Sequence, residues 1–147
     1  MSDKPKTLKV EIVSPEGAVF STEAKMFFAK GADGDLGIAP GHLQLLTEVA
    51  PGPVRIHKVD DTEELLFVSG GILEVQPYQV SILADTVERP KDVNESSAKE
   101  AKEAAEKILK SKKAGTPDFQ KAQHDLAEAM AKLRVVEMMR ELKKYSS

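Results

Sequence analysis

The sequence predicts a β + α protein: a compact sandwich or flattened barrel of short β-strands, then an antiparallel α-helical hairpin. Three observations carry this reading. The hydrophobic period changes once, at Glu88-Arg89-Pro90. Before it, turn signals recur at intervals of about ten residues between alternating runs. After it, Ala, Glu, Lys and Gln fill long stretches with one break, at Ala114-Gly115-Thr116-Pro117. The boundary gives a sandwich domain over 1–90 and a helical arm over 91–147. It also divides the charge, since residues 1–90 hold 8 basic and 14 acidic side chains while residues 91–147 hold 13 and 10.

In the first expected strand Leu8, Val10 and Ile12 alternate with Lys9 and Glu11, giving one dry and one wet face. Ser14-Pro15-Glu16-Gly17 turns the chain. Ala24, Met26 and Phe28 then share a face opposite Lys25 and Phe27, and Gly31-Ala32-Asp33-Gly34-Asp35-Leu36-Gly37 is expected to form a long turn. Pro40-Gly41, Pro51-Gly52-Pro53, Asp60-Asp61-Thr62, Gly70-Gly71 and Pro77 punctuate the rest, with β-rich runs at Val54–Val59, Leu65–Val68, Ile72–Val75 and Val80–Ala84.

The first helix is expected near Asp92, which with Glu95 resembles a capping box. Glu95–Lys99, Glu103–Lys107 and Glu106–Lys110 are favourable i,i+4 pairs, and Ala98, Ala101, Ala105 and Ile108 form the inward face with Leu109 alongside. Thr116-Pro117-Asp118 supplies a cap, a proline at the first helical position and an acid in the first turn, so a second helix begins there. Its seam is Phe119, Ala122, Leu126, Ala129, Leu133 and Val136. Ile108 and Leu109 would contribute about 1.5–3 kcal/mol each if buried, against about 1–2 kcal/mol to fix each residue's backbone. The expectation is an arm that leaves the β body at small cost.

Composition excludes several functions. A net charge of −3 and only two Tyr and no Trp argue against nonspecific nucleic-acid binding, which needs a dense basic face or stacking platforms. Absence of Cys removes disulfides, thiolate metal sites and a Cys nucleophile. The opening Met1-Ser2-Asp3-Lys4-Pro5 has no apolar h-region, and no apolar stretch approaches the roughly 18 residues of a membrane span, so a cytoplasmic protein without direct membrane insertion is expected.

Catalytic motifs fail one by one. Phe67-Val68-Ser69-Gly70-Gly71 lacks the first glycine of a nucleophile elbow. The Gly31–Gly37 stretch is neither a P-loop nor a dinucleotide fingerprint. Asp33 and Asp35 could touch a cation, but the other ligands of a calcium loop are missing and a solvated turn is the reading. His42, His57 and His124 show no metal-ligand spacing; a surface turn histidine is the reading for His42. No catalytic residue, cofactor or metal is expected. Met130, Met138 and Met139 read as hairpin core or an adaptable docking face. The basic arm, including Lys121, Arg140, Lys143 and Lys144, reads as a solvated face that an acidic protein partner would suit.

Two segments go further: GADGDLGIAPGHLQLLTEVAPGPVRI at 31–56 and SGGILEVQPYQVSILAD at 69–85. With the hairpin, they resemble the epsilon subunits of bacterial rotary proton-translocating ATP synthases, over about Leu8 to Leu142 and in the same order of parts. The resemblance implies a flattened antiparallel β-sandwich of about ten short strands, in a noncatalytic subunit at the base of the central stalk, on the cytoplasmic face of the inner membrane as a peripheral protein. Its implied partners are the gamma subunit, the c subunits of the rotor ring, and the alpha and beta subunits of the catalytic head. It implies that Gly34, Asp35 and His42 face the ring, Asp35 standing where relatives often carry Glu. It further implies that the arm, extended, brakes ATP hydrolysis through Lys107, Lys110, Lys112, Lys113, Lys132 and Arg134. Relatives that bind ATP in the hairpin share an Ile/Leu-Asp-x-x-Arg-Ala segment. This chain reads Val93-Asn94-Glu95-Ser96-Ser97-Ala98, losing the Asp and the phosphate-binding Arg.

The alternative function is a nucleotide-responsive regulatory module that closes on ATP, against which Asn94 and Ser97 count. More distant alternatives are a small sandwich hydrolase with a His42/Asp35 dyad and a free-standing coiled-coil adaptor.

Overall fold

The structure, a computed structural model, describes residues 7–146. The opening segment Met1–Pro5 lies outside the described residues, as does the side chain of Lys144. The chain divides into two compact units, the first ending at Glu88 and the second beginning at Arg89.

The first unit contains nine strands among the described residues: β1 (Leu8–Ser14), β2 (Gly17–Gly31), β3 (Gly34–Ile38), β4 (Leu45–Val49), β5 (Gly52–Lys58), β6 (Glu63–Val68), β7 (Gly71–Gln76), β8 (Gln79–Ala84) and β9 (Val87–Glu88). Their order is β1-β8-β7-β4-β2-β5-β6-β9, with β3 on β2 and β1 also on β2. All pairings are antiparallel except β1 with β8. The long strand β2 serves both layers, pairing first with β1 and then with β5 and β3. Side chains from the two layers meet in one core, with Leu8, Val10, Ile12, Leu73, Val75, Val80 and Ile82 facing Phe27, Ile38, Val54, Ile56, Leu66 and Val68. Strand β6 departs from alternation, because Leu65 and Phe67 are buried as well.

Three expectations for this unit are corrected. The glycine-rich segment is not a long turn: Ala32 and Asp33 alone make the turn, and Gly34–Ile38 is a strand on β2. The glycines permit this, since Gly34 takes φ +134° where the hairpin closes on Gly31. Ala24, Met26 and Phe28 do not share the inner face. The β2–β5 register shifts between Ala24 and Met26, so Lys25 is an extra, bulged residue and the phase reverses beyond it, putting Phe27 and Ala29 in the core. Strand β4 lies in a stretch with no expected run, its signal divided between Leu45 and Val49 facing inward and the exposed Leu46 and Glu48.

The second unit opens with a 3-10 turn, Pro90–Asp92, followed by α1 (Glu95–Ser111) and α2 (Pro117–Ser146). The capping box at Asp92 does not form. Asp92 closes the turn that Pro90 starts, and Asn94, extended at φ −85° and ψ 102°, accepts a hydrogen bond from the Ser97 N–H at 2.9 Å. At α2 the expected cap holds, with the Phe119 N–H donating to Thr116 Oγ1 and Pro117 at the first position. The inward face of α1 is narrower than expected. Ala98 and Ala105 are buried and Leu109 half-buried, but Ala101 is exposed and Ile108 keeps 37% of its surface. On α2, Ala122 and Ala129 are buried and Phe119, Leu126, Leu133 and Val136 half-buried, while Ala131 and Val135 are buried outside the expected seam.

Candidate functional site

The residues expected to face a rotor ring sit around β3. Gly34 and Asp35 begin that strand, both exposed, with Asp35 opposite Lys30 of β2. His42 follows the other end of β3, in the loop after Pro40-Gly41. Gly41, at φ +88°, donates its N–H to the Pro77 carbonyl, which staples this loop to the β7–β8 turn. His42 Nδ1 lies 2.7 Å from the Leu43 carbonyl oxygen; a carbonyl only accepts, so Nδ1 is the donor. No hydrogen bond joins His42 to Asp35 among the described residues, and the length of β3 stands between them, so the arrangement is not a catalytic dyad. Beside His42, Leu43 projects with 83% of its surface exposed. The Ser69 hydroxyl is buried and accepts from the Thr86 N–H at 2.9 Å, a structural use. Among the described residues no group of three His, Cys, Asp or Glu could hold a metal ion.

Sequence reasoning missed an outward apolar row on the β4-β7-β8 layer. Ile72 pairs with Leu83 across β7–β8 and Leu83 with Val13 across β8–β1, so the three lie side by side on the face away from the core. Ile72 and Leu83 keep 48% and 59% of their surface and Leu46 keeps 70%. Glu48 and Glu74 share this face, opposite Ile72 and Leu46 respectively on the neighbouring strand. The signal was present in the sequence as adjacent apolar pairs, Leu45-Leu46, Ile72-Leu73 and Ile82-Leu83. In a strand neighbouring side chains point to opposite faces, so one member of each pair must face out.

On the arm, Lys107, Lys110 and Lys113 are exposed on α1 and the connecting turn. Lys112 lies 3.9 Å from Asp118, Lys132 lies 3.6 Å from Glu128, and Arg134 lies 3.5 Å from Glu137. Of the α1 pairs, Glu95–Lys99 closes at 3.5 Å. A longer-range contact was not legible. The Arg140 guanidinium grips both carboxylate oxygens of Glu95, with Nη1 3.2 Å from Oε1 and Nη2 on Oε2. Arg140 thereby holds the Glu95 carboxyl below the ordinary glutamate range, Lys99 adding to the effect, and Arg140 is itself raised by Glu95.

Among the described residues no helix is long and apolar enough to cross a membrane. Comparison with known proteins agrees with the two-part fold. Residues 7–90 match the beta-sandwich domain of the ATP synthase delta/epsilon chain, and residues 91–137 match its long alpha-helix domain. The chain is 49% identical over 134 residues to the ATP synthase epsilon chain of Alkalilimnicola ehrlichii, covering 91% of this chain and 95% of that one. Among solved structures it resembles, at 15% identity, a chain of the Euglena gracilis mitochondrial ATP synthase OSCP/F1/c-ring assembly, with a TM-score of 0.69 over 96% of this chain and 84% of that one. A second, also at 15% identity, belongs to the central stalk/c-ring of the Tetrahymena thermophila mitochondrial enzyme, with a TM-score of 0.62 over 92% and 99%. With both domain patterns matched in order and half its residues shared with such a relative, the chain belongs to the ATP synthase delta/epsilon chain family.

Proposed function

We propose that this chain is the epsilon subunit of a bacterial proton-translocating ATP synthase, a noncatalytic part of the central stalk that couples rotor-ring rotation to ATP synthesis and brakes ATP hydrolysis with its helical arm. The observation that carries the reading is the combination of both family domains, in order, with a body that offers an outward apolar row. The row of Ile72, Leu83 and Val13, with Leu46 beside it, is the surface assigned to gamma, since burying it would recover free energy that water withholds. Gly34, Asp35 and His42 are assigned to the polar loops of the c ring, and Lys107, Lys110, Lys112, Lys113, Lys132 and Arg134 to acidic surface on the alpha and beta subunits. The complex would hold the chain on the cytoplasmic face of the inner membrane as a peripheral protein.

The alternative, an ATP-closed sensor, has less support. Asn94 stands where ATP-binding relatives carry Asp and is used as the helix cap, accepting from the Ser97 backbone N–H, while Ser97 stands where they carry Arg and has no guanidinium to offer a phosphate.

The test is ATP hydrolysis and ATP-driven proton pumping by membranes depleted of this subunit, after adding back the full chain or residues 1–90. Both forms are expected to restore coupled pumping, and only the full chain to slow hydrolysis. If neither binds nor changes either rate with a matched enzyme, the stalk reading is wrong. A Leu83→Glu variant is expected to weaken binding to isolated gamma by tenfold or more, about 1.4 kcal/mol; unchanged affinity would remove gamma from the apolar row.

A further inference from the structure

The Glu95–Arg140 contact joins residues 45 positions apart in the chain and connects the first turn of α1 to the far part of α2. The helices differ in length, with 17 residues in α1 and 30 in α2. At 1.5 Å per residue these are about 25 Å and about 45 Å, so an antiparallel α2 runs past the start of α1. Side chains on a helix lean toward its N-terminus, which lets Arg140 reach back to Glu95. The fork-to-fork geometry fixes both groups, and Lys99 Nζ stands 3.5 Å from Glu95 Oε1 on the next turn. The N-terminal end of α1, capped by Asn94, adds a favourable field for the carboxylate.

We propose that the Glu95–Arg140 pair is a ligand-independent latch that holds the helical hairpin closed, and that opening it is what frees the arm. The proposal deepens the reading of the arm as a brake and rests on it for its consequence in the enzyme. On α1 the fully buried side chains are the small Ala98 and Ala105, with Leu109 half-buried, so the large apolar groups of the hairpin come mainly from α2. A bidentate pair at the open end of such a seam adds to what holds the ends together, on the modest scale of an exposed ion pair. The groove beside the pair is lined by Glu95, Ser96, Lys99, Glu100, Glu103 and Arg140. Its two cations both attend Glu95, and Glu100 and Glu103 would repel a polyphosphate, so closure here needs no anion.

The test uses the full chain and hydrogen exchange at the amides of both helices. Glu95→Gln and Arg140→Gln are each expected to speed exchange about two- to fivefold, in line with an exposed bidentate pair, and the double variant to be no faster than either single one. Lys121→Gln, which breaks an exposed pair within α2, is the control expected to leave α1 exchange unchanged. Additive effects of the two substitutions, or no effect, would overturn the latch. In reconstituted synthase, Arg140→Gln is expected to slow ATP hydrolysis further, because a freed arm brakes more often. Coupled changes in exchange with unchanged hydrolysis would keep the latch and remove the brake. Slower hydrolysis without faster exchange would remove the latch.

Discussion

Gly71 shows how one residue can be fixed by backbone geometry alone. It sits at φ +145° where β7 meets both β4 and β8, and a Cβ there would stand 2.1 Å from the Leu83 carbonyl oxygen. No side-chain motion relieves a clash with backbone. Gly17 has a comparable φ of +122° but nothing within 4 Å of its would-be Cβ. Gly17→Ala is therefore expected to cost about 1–3 kcal/mol of strain, and Gly71→Ala distinctly more, read from urea midpoints of the two variants. Equal losses would mean the contact with Leu83 does not matter. Asp61 illustrates charge at the same scale. It occupies the left-handed region at φ 67°, and the Lys25 ammonium 2.6 Å away, helped by His57, holds its carboxyl below the usual aspartate range. A lowered folded pKa gives stability that is complete above the unfolded value, about 3.9, and is lost as pH falls through the folded one. Asp61→Asn keeps a residue that tolerates this φ, so the variant should be less stable than the parent at pH 7 and converge with it in acid. A gap that persists in acid, once the carboxyl is protonated in both folded and unfolded chains, would assign the effect to shape instead of charge.

Secondary structure was legible wherever one physical signal acted alone. The alternation of Leu8, Val10 and Ile12, the turn at Asp60-Asp61-Thr62 and the start of α2 at Thr116-Pro117 all survive in the structure. Failures came where a second effect changed the phase. The bulge at Lys25 is a matter of pairing between distant strands, so no local period announces that Phe27, not Phe28, is buried. Asn94 prevailed over Asp92 as the cap because Pro90 first commits the chain to a 3-10 turn. For the candidate surfaces, the apolar row was written in the sequence as adjacent apolar pairs, whereas Glu95–Arg140 depends on the register at which the two helices pack, which only the folded hairpin reveals. The corrected α1 face carries its own prediction. Ala105 is 3% exposed and Ala101 is exposed, although an all-alanine stripe treats them alike. Ala105→Leu should overpack and cost about 1–3 kcal/mol, while Ala101→Leu should stay within about 0.5 kcal/mol of the parent. Helix melting followed by circular dichroism distinguishes them, and similar losses would restore the wider seam.

Charge organises the molecule at the largest scale. Residues 1–90 carry 8 basic and 14 acidic side chains, a balance of −6, and residues 91–147 carry 13 and 10, a balance of +3, which together give the −3 of the whole chain. An arm of opposite sign to its body is drawn to acidic partners but also to acidic groups of its own chain, so the arm's cations are not equivalent. Lys112, Lys132 and Arg134 each already face a carboxylate, at 3.9, 3.6 and 3.5 Å. Lys107, Lys110 and Lys113 are exposed and make no ion pair among the described residues. An outside carboxylate must displace an internal partner to reach the first set but not the second, so the second set should contribute more to the proposed brake. Replacing Lys107, Lys110 and Lys113 together by Gln is expected to relieve inhibition of ATP hydrolysis more than replacing Lys112, Lys132 and Arg134. Because attraction between solvated charges is screened, the difference should fade between about 0.02 M and about 0.5 M salt, as the Debye length falls from about 20 Å to about 4 Å. Equal relief by the two triple variants, or a difference insensitive to salt, would show that the arm acts through its shape and not its exposed lysines.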